Sequence, residues 1–404
     1  MKIIFLNRFF YPDISPTSQL LSDLALHLGS RRDVHVITSR IRYDNPDARL
    51  PAEETVQSVK VHRVWTSRFG RSSIVGVAID YFTFYGSAAL RLFQLARRGD
   101  VVVAMTDPPM ISIPAAVAAS LRGARLVNWL QDIFPEVAWA LDFKRVPRWI
   151  ERVLAWGRDR SLRAAARNVT LGDLMAERVA ARQVAPDRIR VIHNWSSGDQ
   201  ITPLAPASNA LRHEWGLDGK FVVGYSGNMG RAHDFAGLLG AAERLSARAD
   251  IVFLLVGAGN QRQALEADVR ARGLHNVMFR PYQPREVLGQ SLTVPDCHIV
   301  SLRPSLEGLI VPSKLYSSLA AGRPVIFIGA PDGEVTRIMR GSSPFGVQVS
   351  PDDIAGLAAA IDRLSRNAGE VTTMGENGRR LFENRFDRPI ALDRWTALLG
   401  ELHP

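Results

Sequence analysis

Glu307-Gly308-Leu309-Ile310-Val311-Pro312-Ser313-Lys314-Leu315-Tyr316-Ser317-Ser318-Leu319-Ala320-Ala321-Gly322-Arg323-Pro324-Val325 reads in order as loop, short helix, turn and strand. Pro312 or Ser313 can open the helix, because proline pre-sets a helical φ and serine accepts from an orphan N–H. Leu315 and Leu319 share its inner face, Gly322 suits the left-handed position past its end, and Pro324 stops it running into the strand. The amino end of such a helix carries unpaired N–H groups, and with Lys314 beside them it is a receptor for a diphosphate. Glu307 lies upstream in the loop, where a carboxylate can accept hydrogen bonds from a pair of sugar hydroxyls.

The same alternation continues outward in both directions. Residues 221–225, 251–256, 277–280, 298–302 and 325–328 are short apolar runs of strand length, with helical periodicity over 234–247 and 261–271. An earlier series opens at Lys2-Ile3-Ile4-Phe5-Leu6 and recurs at 34–38, 59–64, 100–105, 125–130 and 169–171, with a helix expected over 19–28. Continuous apolar strands separated by helices are the pattern of parallel sheets buried on both faces. The fold class is therefore α/β, with two Rossmann-like domains expected to face each other across a cleft. The expected boundaries are 1–195 for the first domain, 196–219 for a Ser/Pro/Gly/Asn-rich linker, 220–385 for the second, and 386–404 for a closing helix. Ligands of such sheets bind outside the carboxyl ends of the strands, so the loops there hold the chemistry.

Composition narrows the class further. The chain has 404 residues, 46% hydrophobic and 22% charged, which excludes a disulfide-stapled module or a disordered chain. The single cysteine, Cys297, reads as a buried apolar residue and favours a reducing compartment. No secretory leader is expected at the start, and the most apolar stretch, 74–95, is interrupted by Asp80 and Arg91, so integral insertion is not expected. Residues 1–200 carry 28 Lys and Arg against 19 Asp and Glu, an excess of nine, while 201–404 carry 22 against 21. The excess concentrates over 142–167, where Lys144, Arg145, Arg148, Arg152, Arg158, Arg160, Arg163 and Arg167 alternate with Trp149, Ile150, Val153, Leu154 and Trp156. Such a helix can lie in a lipid headgroup region. Nucleic acid is the rival partner, and the plain alternative is a solvated basic helix with its tryptophans in the core.

Tyr225-Ser226-Gly227-Asn228-Met229-Gly230-Arg231 follows a strand and precedes a helix. There Gly227 and Gly230 let backbone amides approach an anion and Arg231 adds a positive charge. Val256-Gly257-Ala258-Gly259 repeats the arrangement. Either turn can equally be a plain connection, and neither has the spacing or the acidic residue of an NAD site.

At these residues the sequence resembles glycosyltransferase family 4, the GT-B-fold, retaining, nucleotide-sugar-dependent transferases. The resemblance extends through Phe10-Tyr11-Pro12-Asp13, Gln131-Asp132-Ile133-Phe134-Pro135-Glu136, Val191-Ile192-His193-Asn194-Trp195 and Val277-Met278-Phe279. It implies a UDP- or GDP-linked donor held by the second domain, an acceptor held by the first, and a final helix that returns to the first domain. Glu307 would contact the donor sugar, with Arg231 and Lys314 as diphosphate cations. Gly227, Asn228, Gly230, Gly257, Tyr282, Val311, Pro312, Ser313 and Ser317 would line the donor site. Gln131 would join Glu307, Arg231 and Lys314 as a catalytic residue, and on the acceptor side stand Asp13, Ser15, Thr17, Asp132 and Glu136, although Asp132 and Glu136 can equally be solvated or cap a helix.

Three positions depart from the family pattern. The glutamate that usually contacts the ribose is Ser317, the paired glycines after the first strand are Ser15-Pro16-Thr17-Ser18, and the histidine before the aspartate is Gln131. A serine cannot make a bidentate contact with a diol, and a glutamine cannot shuttle a proton. These departures read as marks of a subfamily for bacterial surface polysaccharide assembly. No Asp-x-Asp triplet is present, so metal-independent transfer with no cofactor is expected, the departing diphosphate being neutralised by fixed cations. The expected setting is cytoplasmic, peripheral at the inner face of the membrane, with a lipid-linked or polysaccharide acceptor and no nucleic acid partner. The rivals are a GT-B sugar-nucleotide epimerase or phosphorylase and a non-catalytic sugar-nucleotide-binding scaffold.

Overall fold

The computed structural model describes residues 1–43, 45, 47–70, 74–141, 147–341 and 343–402, with the backbone alone at 74. Asp142, Lys144 and Arg145 of the basic segment lie outside the described residues. The chain forms two compact units, one of Met1–His193 with Leu392–Pro404 and the other of Asn194–Ala391.

The first unit runs β1 (Lys2–Leu6), α1 (Pro16–Gly29), β2 (Asp33–Ser39), β3 (Glu53–Val56), β4 (Val59–Val64), α2 (Ile74–Leu95), β5 (Val101–Ala104), α3 (Ser112–Arg122), β6 (Arg125–Trp129), α4 (Glu136–Ala140), α5 (Arg148–Ala164), β7 (Arg167–Thr170), α6 (Asp173–Ala180) and β8 (Ile189–Val191). The sheet order is β3-β4-β2-β1-β5-β6-β7-β8. Its neighbours are parallel except at β3–β4, and Ile4 pairs with His35 on one side and Val102 on the other. Ile3 to Leu6 and Val101 to Ala104 are buried, as both-face coverage by helices requires. The order reverses between β1 and β5, so the loops leaving these two strands meet at the switch point. Neither β3 nor β8 appears among the runs read from the sequence: β3 is a polar edge strand, and β8 is only half-buried.

The second unit runs α7 (Ala210–Glu214), β9 (Phe221–Ser226), α8 (Ala236–Arg244), β10 (Ile251–Val256), α9 (Arg262–Ala271), β11 (Val277–Arg280), α10 (Leu288–Thr293), β12 (Cys297–Ser301), α11 (Lys314–Ala320), β13 (Val325–Ile328), α12 (Glu334–Met339), β14 (Gly346–Val349), α13 (Ile354–Arg366), α14 (Ala368–Arg385) and α15 (Arg388–Glu401), whose last turns belong to the first unit. Its sheet is β11-β10-β9-β12-β13-β14, parallel at every pair of neighbours, with the switch between β9 and β12.

The boundaries differ from expectation at both ends of the second unit, which takes in 194–219 and 386–391. The stretch 196–219 is not a free linker but part of the second unit. Leu211, Trp215 and Leu217 join an apolar cluster with Val222 and Leu254, and Arg212 makes two hydrogen bonds to Asp296, at 3.1 and 3.0 Å. Apolar residues spaced among polar ones in this stretch carry that packing, which a composition of turn formers hides.

The return of the last helix is observed. Trp395 is fully buried with its ring centroid 4.6 Å from that of Trp129, and Arg125 donates to the Leu402 carbonyl at 2.5 Å. Arg167 and Glu401 add an ion pair at 3.2 Å. Truncating a buried tryptophan removes a large apolar area and leaves a cavity, so Trp395→Ala should destabilise the first unit by about 3–5 kcal/mol. Urea unfolding followed by a probe on that unit checks it, and an unchanged midpoint would contradict the packing role.

Candidate functional site

In the second unit the carboxyl ends of the paired strands β9 and β10 bring the two glycine turns together. Gly227, Gly257 and Gly259 have φ of 128°, 141° and 150°, conformations that side chains rarely adopt. A Cβ on Gly257 would stand 2.1 Å from the Gly227 carbonyl oxygen, and one on Gly259 would stand 2.5 Å from that of Met229. The turns therefore pack backbone on backbone. The Gly227 N–H donates to Val256 O at 2.9 Å, Met229 N–H to Ala258 O at 2.7 Å, and Gln261 Nε2 to Gly230 O at 2.6 Å. Gly257 thus supports the Gly227 turn from behind, and Tyr225 anchors it in front by donating its hydroxyl to Asn228 O at 2.7 Å.

Lys314 lies over this turn. A Cβ on Gly227 would fall 2.8 Å from Lys314 Cε, so the lysine stem occupies the space that glycine leaves. Its Nζ stands 5.0 Å from the centre of the Tyr225 ring and 2.9 Å from His233 Nε2. His233 Nδ1 is 2.7 Å from the Ser301 carbonyl, which can only accept, so Nδ1 carries the proton and Nε2 is left to accept from the ammonium. Burial and the Lys314 charge push the His233 pKa down to about 4, so the imidazole is neutral at pH 7 and accepts without repulsion. Burial alone pulls Lys314 down to about 8. Among the described residues no carboxylate pairs with Lys314, and a desolvated cation without a counter-ion favours an anionic ligand.

His233 was not singled out in the sequence. It stands two residues after Arg231, and only the fold brings it to a lysine far along the chain. Ser301, at the end of β12, meets the same loop twice, since its Oγ also accepts from Asp234 N–H at 3.2 Å. Arg231 and Asn228 are exposed on the loop, and Tyr282, 55% exposed, follows β11.

The helix read from Ser313 is α11. Its first turn is less open than expected, because Leu315 N–H donates to Pro312 O at 3.1 Å and Tyr316 N–H to Ser313 O at 3.2 Å. Ser313 is exposed at its start, Val311 and Pro312 are buried before it, and Ser317 turns its hydroxyl back to Lys314 O at 3.1 Å. Glu307 is 9% exposed, not a solvated loop charge. Its Oε2 accepts from Glu334 N–H at 3.1 Å at the start of α12, and a Cβ on Gly333 would lie 2.2 Å from Oε1. The bond from the first N–H of α12 holds the carboxylate in one orientation.

A cavity of about 550 Å³ in this unit lies elsewhere, at the amino ends of β9, β12 and β13, beside Phe221, Asp296, Arg323, Val371 and Arg379. The volume is ligand-sized, but the glycine turns and Lys314 are at the opposite strand ends, where sheet topology puts the chemistry.

In the first unit the residues expected on the acceptor side lie in loops at the carboxyl ends of β1 and β6. Asp13 is buried and committed to backbone: its Oδ1 accepts from Ser15 N–H at 2.7 Å, and its Oδ2 from Tyr43 N–H. Ser15 precedes α1 without a side-chain cap bond, and Thr17 donates to Asp107 at 3.3 Å. Glu136 is taken up by Arg158, at 2.7 and 2.9 Å, and by Arg182 at 2.9 Å, so it ties α4 to α5. Asp132 is the carboxyl with altered chemistry. Burial, reinforced by the Asp107 charge and opposed by the Thr106 hydroxyl, pushes it up to about 7, and its Oδ1 is closed from solvent without a hydrogen bond. Gln131 is half-buried beside it. Among the described residues no group of three His, Cys, Asp or Glu is placed to hold a metal ion.

The basic segment resolves into two roles. Arg158 is buried against Glu136 and Asp159, and Arg167 pairs with Glu401. Arg148, Arg152, Arg160 and Arg163 are exposed on α5. The tryptophans are not core residues: Trp149 is 66% and Trp156 63% exposed, with exposed Val153 between them.

The Glycosyl transferase 4-like domain family matches residues 18–195 and the Glycosyl transferases group 1 family residues 220–367. WcaI of Escherichia coli (strain K12), named for colanic acid biosynthesis glycosyl transfer, is 29% identical over 279 residues, 66% of this chain and 68% of that protein. WbjE of Pseudomonas aeruginosa, named a glycosyltransferase, is 26% identical over 322 residues, 78% of each chain. Anabaena HepE, solved in complex with UDP-glucose, superposes with a TM-score of 0.74 at 16% identity, over 99% of this chain and 100% of that one, and shows the fold alone to be shared.

The Lys314 titration makes a signed prediction. Its pKa is 10.5 in the unfolded chain and about 8 when folded, so between those values the unfolded state binds more protons and stability rises with pH. Urea unfolding at pH 7 and above pH 10 should show Lys314→Met more stable than the natural protein at the lower pH only. A gap independent of pH would remove the desolvated charge from the site.

Proposed function

Because the chain belongs to the family 4 glycosyltransferases of GT-B fold, we propose that it moves a hexose or related sugar from a nucleotide-diphosphate sugar to a lipid-linked or polysaccharide acceptor, with retention at the anomeric carbon. The observation that carries the reading is the Lys314 ammonium, desolvated, held by neutral His233 over the Gly227 turn and lacking a counter-carboxylate among the described residues. A donor diphosphate supplies the missing charge. Arg231 on the same loop adds a second cation, and the Gly227–Gly230 amides can approach the phosphate oxygens.

In this reading the acceptor oxygen attacks the anomeric carbon on the face that the diphosphate leaves. The bond from that carbon to the phosphate oxygen breaks, the new glycosidic bond forms, and the acceptor proton passes to the departing phosphate. Lys314 and Arg231 stabilise the charge growing on the diphosphate, which stands in for a divalent ion. Glu307, steadied by α12, orients the donor sugar, and Tyr282 stacks near the base. Ser317 replaces a bidentate ribose contact with at most a single hydrogen bond. Asp132 and Gln131 in the first unit hold the acceptor hydroxyl.

The setting proposed is cytoplasmic, at the inner face of the membrane. Among the described residues no helix is long and apolar enough to cross a bilayer, and the exposed arginines and tryptophans of α5 supply a reversible attachment. The name of WcaI, for colanic acid biosynthesis, supports polysaccharide assembly as the context, and the UDP-glucose complex of HepE supports a nucleotide-sugar donor.

Incubating purified protein with UDP- and GDP-sugars, with and without an acceptor extract, tests the reading. Transfer or slow donor hydrolysis is expected, whereas epimerisation of the donor alone would establish the rival enzyme and inert donors a binding scaffold. Lys314→Ala should weaken diphosphate affinity by the worth of a charge-assisted bond, about 1.5–3 kcal/mol. Glu307→Gln should lower turnover far more than affinity for free UDP or GDP, and a normal kcat in that variant would sink its assignment.

Attachment has its own expected outcome. Replacing Arg148, Arg152 and Arg163 by Glu should strongly reduce flotation with vesicles containing phosphatidylglycerol at 0.1 M salt and leave donor hydrolysis intact. Unchanged flotation would make α5 a merely solvated face.

A further inference from the structure

Helix α2 breaks the rule for a surface helix. Its exposed positions are Val75, Ile79, Phe82, Gly86, Leu90, Phe93 and Gln94, so the face turned to solvent carries no charge at all. Phe82 is 70% and Leu90 60% exposed. The two charges that interrupt the apolar run are both used elsewhere. Asp80 is buried and accepts from Ser67 Oγ at 2.6 Å, Phe69 N–H at 3.0 Å and Gly70 N–H at 3.1 Å, and Arg91 pairs with Glu53. The inner face, with Phe84, Ala88 and Leu92, is packed in the core, so the helix is apolar on both sides.

The neighbouring helix continues the surface. On α3, Val117 is 58% and Leu121 70% exposed. Arg122 of α3 stacks on Phe93 of α2 with its guanidinium carbon 5.0 Å from the ring centre, and Gly157 of α5 sits where a Cβ would be 3.0 Å from Ile113 Cδ1 of α3. The three helices thus lie side by side on one sheet face, and the apolar face of α2 and α3 adjoins the arginine-tryptophan face of α5. A contiguous apolar surface rimmed by cations marks a docking site rather than ordinary exposure.

We propose that the outer face of α2 and α3 inserts into a lipid bilayer, its apolar side chains passing beneath the headgroups while the arginines of α5 meet the phosphates. The proposal rests on the membrane reading of α5 and adds hydrophobic insertion to it. Charge selects this occupant. A second copy would set one rim of arginines against another, and an acidic protein partner would find Arg122 alone over an otherwise uncharged face of α2 among the described residues, whereas an anionic leaflet offers phosphates at its surface and hydrocarbon below.

Electrostatic attachment and insertion separate by salt, since the Debye length falls from about 10 Å at 0.1 M to about 3 Å at 1 M. Phe82→Cys can be labelled with an environment-sensitive fluorophore, because the only natural thiol, Cys297, is buried. The probes are vesicles of phosphatidylcholine with phosphatidylglycerol, and of phosphatidylcholine alone. Binding that persists at 1 M salt with a blue-shifted label is expected. The combined Phe82→Gln, Leu90→Gln and Leu121→Gln variant, changed only at exposed positions, should cut that salt-resistant fraction at least roughly tenfold. The α5 glutamate variant should instead lose the extra binding seen at 0.1 M. Binding wholly released by salt with an unshifted label overturns insertion and leaves the α5 reading standing. Absence of binding to either vesicle at any salt overturns both, and a dimer in sedimentation that the glutamine variant dissociates would assign the face to a second copy.

Discussion

The glycine-turn site of the second unit depends on one contact, the ammonium of Lys314 resting on the neutral imidazole of His233 above Gly227. A charged imidazole would repel the lysine; burial and the lysine charge keep the ring neutral, and the Ser301 carbonyl, by accepting from Nδ1–H, leaves Nε2 to face the ammonium. A side chain at position 227 would displace the stem of Lys314, and a side chain at 257 would displace the 227 turn. Each element is tolerable only because the next is in place. The arrangement stores a desolvated positive charge at the carboxyl edge of a parallel sheet, where a diphosphate is the natural counter-ion.

The carboxylates show the opposite economy. Asp13 holds backbone amides and Glu136 holds two arginines, so their charges are spent on structure. Glu307 is buried against the start of α12, whose first N–H fixes its orientation. Asp132 alone is left with a carboxyl that burial has pushed close to neutral pH. Four acidic residues in comparable loops thus have four different chemistries, set by what each faces.

The helices of the first unit divide their surfaces by role. Arg158 and Arg167 belong to the fold, while Arg148, Arg152, Arg160 and Arg163 remain outside with Trp149 and Trp156. Tryptophan exposed among arginines wastes apolar area in water, and the uncharged outer face of α2 adds to that cost. A surface that stays apolar beside cations is economical where headgroups and hydrocarbon meet.

The apolar runs by themselves determined much of this protein. β1, β5, β10 and β13 stand where continuous Val, Ile, Leu and Phe read as buried strands, because a strand covered on both faces needs no polar residue to reveal it. β3, β8 and β14 were not legible, since short edge or half-buried strands mix polar residues into the run. The glycine turns, Lys314 and Glu307 were legible as well, because unusual backbone conformations and a helix start leave local marks. Tertiary structure alone decided what depends on distant partners. It brought His233 to Lys314, placed Glu307 on α12 and folded 196–219 into the second unit. It also left Trp149 and Trp156 in solvent, although their helical spacing suits a core equally well. Sequence period records which residues share a face, but the direction in which that face turns is set by what else is packed there.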